Sequence, residues 1–183
     1  MRSKRRRSSI IERCDTFVVY WQRARLRPSH VRWWAQGYAN SILYGVSGTN
    51  IHKLQRMQNT IAQVVKLSRS NTGVMDILKD LHWLPIRYRI DLKIATLVYK
   101  VRSSSQPVYL LSLISDYAPI RSLHSTGTHT LHTPRVKTAV GSRAFSSLAP
   151  KVWNSLKADI RECITLLTFR RKLETFYSNQ AFN

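Results

Sequence analysis

The stretch Leu81-His82-Trp83-Leu84-Pro85-Ile86-Arg87-Tyr88-Arg89-Ile90 constrains the fold more than any other part of the chain. Leu81, Trp83 and Leu84 are three bulky apolar residues within four positions, and they need a core to fill. Pro85 suits the first position of a helix, where its missing N–H has no intrahelical partner. The corner is therefore a junction between two helices, and the second helix begins with arginines at positions 87 and 89. His82 sits between two core-type residues, where a packed histidine is the simplest reading and no partner acid argues for a general base.

The flanking sequence carries helical periodicity. Leu54, Met57, Ile61, Val64 and Val65 recur at three- and four-residue spacing, which predicts a helix over about 51–67 with Asn50 as its cap. After a polar linker at 68–73, Val74, Ile77, Leu78 and Leu81 mark a short helix that Asn71 or Thr72 could cap. Ile86, Ile90, Ile94, Leu97 and Val101 form an apolar stripe over 86–102. Val108 to Ile114 reads as one short helix. Phe145, Leu148, Val152, Trp153 and Leu156 mark a helix within 142–157, which Pro150 should end or kink. Thr165 is placed to cap a last helix over 165–177, with Leu166, Phe169, Leu173, Phe176 and Tyr177 inward. Residues 116–141 are rich in Ser, Thr, His, Pro and Gly, and Leu123, Leu131 and Val136 admit a small β-hairpin around 123–137. The expected fold is mainly α: short amphipathic helices packed as an irregular bundle.

Charge separates two regions. The whole chain of 183 residues has a formal net charge of +21. Residues 1–37 hold ten Lys/Arg against two acids; residues 38–183 hold twenty against seven. The first region is expected to be a basic extension, disordered or unrelated to the rest, and the second a helical unit. Lys4-Arg5-Arg6-Arg7 resembles a short nuclear-localisation run, a pattern that an accidental basic tail also produces. Within 10–37, Trp21, Trp33 and Trp34 stand among Arg13, Arg23, Arg25, Arg27 and Arg32. That mixture suits base stacking with phosphate contact, an amphipathic membrane-surface segment, or no specific role. An Arg- and Ser-bearing, acid-poor start also admits a mitochondrial presequence. No apolar run has the length to cross a bilayer. Cys14 and Cys163 cannot build a disulfide framework, so an intracellular protein, nuclear or cytoplasmic, is expected.

A field this positive attracts polyanions, RNA or DNA above all. Enzymatic signals are sparse. No two of the nine acids are adjacent, so the paired carboxylates that hold catalytic metal ions are missing. No phosphate-cradling glycine loop or nucleophile elbow occurs. His124, His129 and His132 lack a matching Cys or acid, and a polar loop accounts for them more simply than a metal site. No cofactor or metal is expected. What remains is a set of basic residues off the apolar stripes: Lys53, Arg56, Arg87, Arg89, Lys93, Arg170, Arg171 and Lys172. Phosphate contacts of this kind position a strand without reading its sequence. For each residue taken singly, a solvated face is an equal reading.

Several motifs, taken in order, resemble the region downstream of the polymerase core in non-LTR (LINE-type) retrotransposon reverse transcriptases of the Jockey and Rex group. They are Tyr38-Ala39-Asn40-Ser41-Ile42-Leu43-Tyr44-Gly45, Leu54-Gln55-Arg56-Met57-Gln58-Asn59, the corner at Leu81 to Ile86 with Arg89-Ile90, Pro107-Val108-Tyr109-Leu110, Thr133-Pro134-Arg135, Arg143-Ala144-Phe145-Ser146, Ala149 to Leu156, and Phe169-Arg170-Arg171-Lys172-Leu173. The resemblance implies a thumb-like and C-terminal segment over 38–183. It implies no catalysis, because the palm and its aspartates have no counterpart in this sequence. It leaves nucleic-acid binding, self-association, or docking to a polymerase core as expected partnerships. A translated pseudogene product without selected function is the further alternative.

Overall fold

The computed structural model describes residues 43–66, 73–118 and 129–183. Residues 1–42 lie outside it, and with them the basic extension and Lys4 to Arg7. Among the described residues seven α-helices follow in order: α1 (Gly48–Lys66), α2 (Val74–Asp80), α3 (Ile86–Ser104), α4 (Val108–Leu111), α5 (Phe145–Asn154), α6 (Ala158–Arg161) and α7 (Leu166–Phe182). A 3-10 turn, Gly141–Arg143, precedes α5. Among the described residues there is no strand, so the mainly-α expectation holds.

Helix α3 is the axis of the molecule. Its Ile90, Ile94, Ala95, Val98 and Tyr99 pack with Leu148, Ala149, Val152 and Trp153 of α5, Ile160 of α6, and Phe169, Leu173 and Tyr177 of α7. Helices α3 and α7 run antiparallel. Near the start of α3, Tyr88 meets Tyr177 at 5.9 Å and its hydroxyl donates to the Gln180 carbonyl. Further along, Tyr99 stacks on Phe169 at 4.3 Å, and its hydroxyl donates to the Cys163 carbonyl ahead of α7. Each large apolar side chain removed from water here contributes about 1.5–3 kcal/mol. A second, smaller cluster joins Ala62 of α1, Ile77 and Leu78 of α2, and Trp83, with Phe182 of α7 packed against it.

The corner between α2 and α3 forms as its residue types require. Leu81 ends α2, and His82 takes a left-handed conformation at φ 54°. The Trp83 N–H donates to the Leu78 carbonyl at 2.8 Å and the His82 N–H to the Lys79 carbonyl at 3.0 Å. This is a left-handed helix C-cap, completed by the apolar contact between Trp83 and Leu78 within the smaller cluster. Pro85 caps α3 rather than opening it, one position from the expectation.

Other elements differ in instructive ways. On α1 the buried positions are Gln58 and Ala62, while Met57 is 37% exposed. The glutamine is drawn in by a hydrogen bond, described below, that the apolar spacing could not reveal. Asn50 lies inside the first turn of α1, and the cap of α2 is Gly73, with no side-chain hydrogen bond. Pro150 does not end α5, which continues to Asn154. The proline ring is fully buried in the core, which offsets the helical hydrogen bond that its nitrogen cannot make. Helix α4 stops at Leu111. Thr165 caps α7 as expected, its Oγ1 accepting from the Thr168 N–H at 3.2 Å, and the helix runs on to Phe182.

The expected hairpin around 123–137 is not formed within its described part, 129–137. There a single antiparallel bridge joins Asp116 to Leu131. The physical reason lies in α5. The Leu131 N–H donates to Asn154 Oδ1 and the Asn154 side-chain amide donates to the Leu131 carbonyl, both at 2.8 Å. One side chain thus does what a paired strand would do, and Pro134 has no N–H to extend a ladder. Leu123 lies outside the described residues.

Candidate nucleic-acid interface

Two stretches distant in sequence, 54–59 and 81–90, interlock through side chains of α1. The Ile86 N–H, unpaired at the start of α3, donates to Gln55 Oε1 at 2.9 Å. Gln58 Nε2 donates to the Leu84 carbonyl at 2.9 Å. Arg89 Nε donates to the same carbonyl at 2.8 Å, and its guanidinium lies 6.0 Å from the Trp83 ring centre. Burial pushes the Arg89 guanidinium down to about 10. Arg89 is therefore a positioning group of the corner, turned inward, and not a contact offered to phosphate. The sequence pattern alone could not separate it from its outward neighbours.

The remaining expected cations are exposed, but they do not form one patch. Lys53 and Arg56 are neighbours on the outer face of α1, three residues apart. Arg87 stands exposed in the first turn of α3. Lys93 lies six residues on, about 240° around the helix, and belongs to a different face. It shares that seam with Lys100, which is also exposed. Arg170, Arg171 and Lys172 are consecutive and so fan out at about 100° intervals around α7. Lys172 is held to α6: its Nζ donates to the Asp159 carbonyl at 3.1 Å and lies 3.9 Å from the Asp159 carboxylate.

The acids of the described region are partly committed. Asp80 pairs with Lys66 and Asp116 with Arg102, the latter at 2.8 Å. Arg102 also lies 5.5 Å from the Trp153 ring centre, while Trp153 Nε1 donates to the His129 carbonyl at 2.8 Å. Burial pushes the Asp91 carboxyl up to about 6, with Arg87 opposing. The Tyr44 hydroxyl is pushed upward by burial and then by Asp91, again with Arg87 opposing. Arg87 and Asp91 stand four residues apart on α3 and so share a face of that helix. His129 and His132 are exposed, and His124 lies outside the described residues. Among the described residues no three of His, Cys, Asp and Glu come together as metal ligands would.

Apolar stripes do not reveal one further basic segment. Residues 117–158 hold six Lys/Arg and no Asp or Glu. Arg135, Lys137 and Arg143 within it are exposed. The loop carrying them folds back on itself: Val136 packs against Gly141, whose N–H donates to Thr138 Oγ1 at 3.1 Å. Arg143 then reaches Gly45, a turn glycine at φ +72°. The absence of acids over so long a run was the available signal. No protein-family model matches the chain, and neither any curated protein nor any solved structure matches it.

Proposed function

We propose that residues 38–183 are a non-catalytic nucleic-acid-binding module, similar to the segment downstream of the polymerase core in LINE-type reverse transcriptases, acting in the nucleus or cytoplasm. The observation that carries this reading is the charge layout. The helices spend their apolar faces on one another and leave Lys53, Arg56, Arg87, Lys93, Arg170 and Arg171 exposed on a chain of net charge +21. Such cations meet phosphates without reading bases. Titration of fluorescent RNA and DNA at increasing salt tests it. The logarithm of the affinity is expected to fall linearly with the logarithm of salt concentration. Absence of binding at low salt, or binding insensitive to salt, overturns the reading. The non-catalytic part rests on the scattered carboxylates, and extension of a primed template above background would overturn it.

A specific observation favours a second reading, a protein-interaction module. Val108 is 63% exposed, Tyr109 68%, Leu113 46% and Tyr117 54%, all within one short stretch. Apolar side chains gathered in this way suit a protein partner, such as a second copy or a polymerase core. Size-exclusion chromatography separates the readings. Self-association that persists in high salt supports the second, and salt-reversible carry-over of nucleic acid supports the first.

A further inference from the structure

Residues 103–118 carry no Lys or Arg and one acid, Asp116. Among the described residues no other run of this length lacks both Lys and Arg. Asp116 is itself paired with Arg102, whose guanidinium lies over the Trp153 ring. On a chain of net charge +21 this is a neutral window, and it coincides with the exposed side chains of Val108, Tyr109, Leu113 and Tyr117. The window is firmly backed. Helical turns continue past α4, the N–H groups of Ser112, Leu113 and Ile114 donating to the carbonyls of Val108, Leu110 and Leu111. Tyr109 and Leu113, four residues apart, therefore share a side. Leu110, Leu111 and Ile114 are half-buried, and Ile114 packs against the main core. The far end is tied by the Tyr117 N–H to the Thr130 carbonyl at 3.0 Å and by the His132 N–H to the Ser115 carbonyl at 2.8 Å. A surface held in this way gives up little freedom when it is covered.

We propose that this window is a two-fold interface between two copies of the chain. The proposal rests on the protein-interaction reading above and commits it to one surface and one partner. A polyanion meets no Lys or Arg along residues 103–118. Two copies at +21 repel each other, and contact through the neutral window keeps their exposed cations at the rim, where salt screens them. An uncharged apolar patch is complementary to itself, as a two-fold contact requires. Tyrosine is also a residue type that interfaces favour. Four exposed side chains set the contact at the small end of the range for specific interfaces, so the expected dimer is weak and reversible.

The test is sedimentation velocity of the nuclease-treated full chain over a series of protein and salt concentrations. A monomer–dimer equilibrium that tightens as salt rises is expected, because salt screens the repulsion between copies. Tyr109→Ser and Leu113→Ser should each weaken the dimer about tenfold, the scale of one packed interface side chain, with the fold checked by circular dichroism. Leu167→Ser, at an exposed apolar position of α7, is the control and should leave the dimer unchanged. Leu113→Lys and Leu113→Asp should each be monomeric alone and associate when mixed, because matching patches then carry opposite charges. A mixture no more associated than either variant alone overturns the two-fold pairing. A salt-resistant dimer that the Tyr109 and Leu113 variants leave intact overturns this interface alone, and the protein-interaction reading stands. A chain that is monomeric in every condition, or whose association dissolves as salt rises, overturns the interface together with the self-association on which it rests.

Discussion

Gln55 Oε1 accepts the backbone N–H of Ile86 at 2.9 Å, so a side chain of α1 caps the start of α3. Three residues along the same helix, Gln58 holds the Leu84 carbonyl. The pair pins α1 to the corner by polar contacts at both sides of Pro85. Removing Gln55 leaves the Ile86 N–H without this partner, whereas the Leu84 carbonyl keeps Arg89 Nε when Gln58 is lost. Gln55→Ala is expected to cost about 1 kcal/mol, the scale of a lost helix cap. Gln58→Ala should cost a similar amount, about 1 kcal/mol, because Arg89 still holds the Leu84 carbonyl and the substitution also removes the buried Gln58 Oε1, which has no partner among the described residues. Urea unfolding of both single variants and the double variant would show non-additive losses. Strict additivity would mean that the two glutamines do not act on one corner.

His82 bears a side chain where the chain turns left-handed, at φ 54°. Glycine adopts that conformation without a steric penalty, and an L-residue carries a cost of about 1–2 kcal/mol. The His82 side chain is exposed, and the cap bonds run through the backbone N–H groups of His82 and Trp83. His82→Gly should therefore raise the thermal midpoint, while His82→Val should lower it. A thermal melt of both variants decides the matter, and a drop in the glycine variant would show that the imidazole contributes more than the backbone strain costs.

Periodicity made the helices legible because burial on one face is what an amphipathic stripe records. Ile90, Ile94 and Val101 lie in the core as their spacing requires. The corner was legible too, since Trp83 and Leu84 had nowhere else to go. Polar residues that turn inward were not legible. Gln58, Arg89 and Asn154 each serve a main-chain group that comes near only in the folded chain, and no spacing rule records such a partner. The interface was read only in part for a related reason. Lys53 and Arg56 share a face because they share a helix, whereas the approach of Arg143 to Gly45 joins residues about a hundred positions apart.

Asn154 supplies the pairing that replaces a strand beside Leu131. Leu131 is buried, 3% exposed, so neither its N–H nor its carbonyl can turn to water without opening the core. Asn154→Ala is expected to destabilise the protein by about 2 kcal/mol. Asn154→Asp should be comparably harmful, because a carboxylate accepts from the N–H but cannot donate to the carbonyl. Amide exchange at Leu131 offers a local check. Its protection should fall selectively in both variants, and unchanged protection would show that the bridge to Asp116 holds the segment unaided.

Tyr177 is 3% exposed, and its hydroxyl has no hydrogen-bond partner among the described residues. Burial pushes that hydroxyl well above the ordinary phenol range, and Asp91 adds to the effect. An unpaired buried hydroxyl costs about 1–3 kcal/mol. Tyr177→Phe keeps the ring that meets Tyr88 and Phe176 and should gain about 1 kcal/mol. The denaturation midpoint is the measurement, and a loss of stability would reveal a partner for the hydroxyl.

Asp91 gives the fold a dependence on pH. Burial raises its carboxyl to about 6, against the pull of Arg87, whereas an unfolded aspartate titrates near 3.9. The folded chain therefore holds this proton more tightly than the unfolded chain does. Asp91's contribution is most favourable below about pH 4, declines as pH rises towards about 6, and is level above that. The stability lost across the window is at most about 3 kcal/mol. Asp91→Asn removes the ionisation, so it should flatten this part of the profile and stabilise the protein at neutral pH. Arg87→Ala removes the opposing charge and should deepen the decline. Urea midpoints measured across the window test both variants. A wild-type slope retained in Asp91→Asn would assign the dependence to another group.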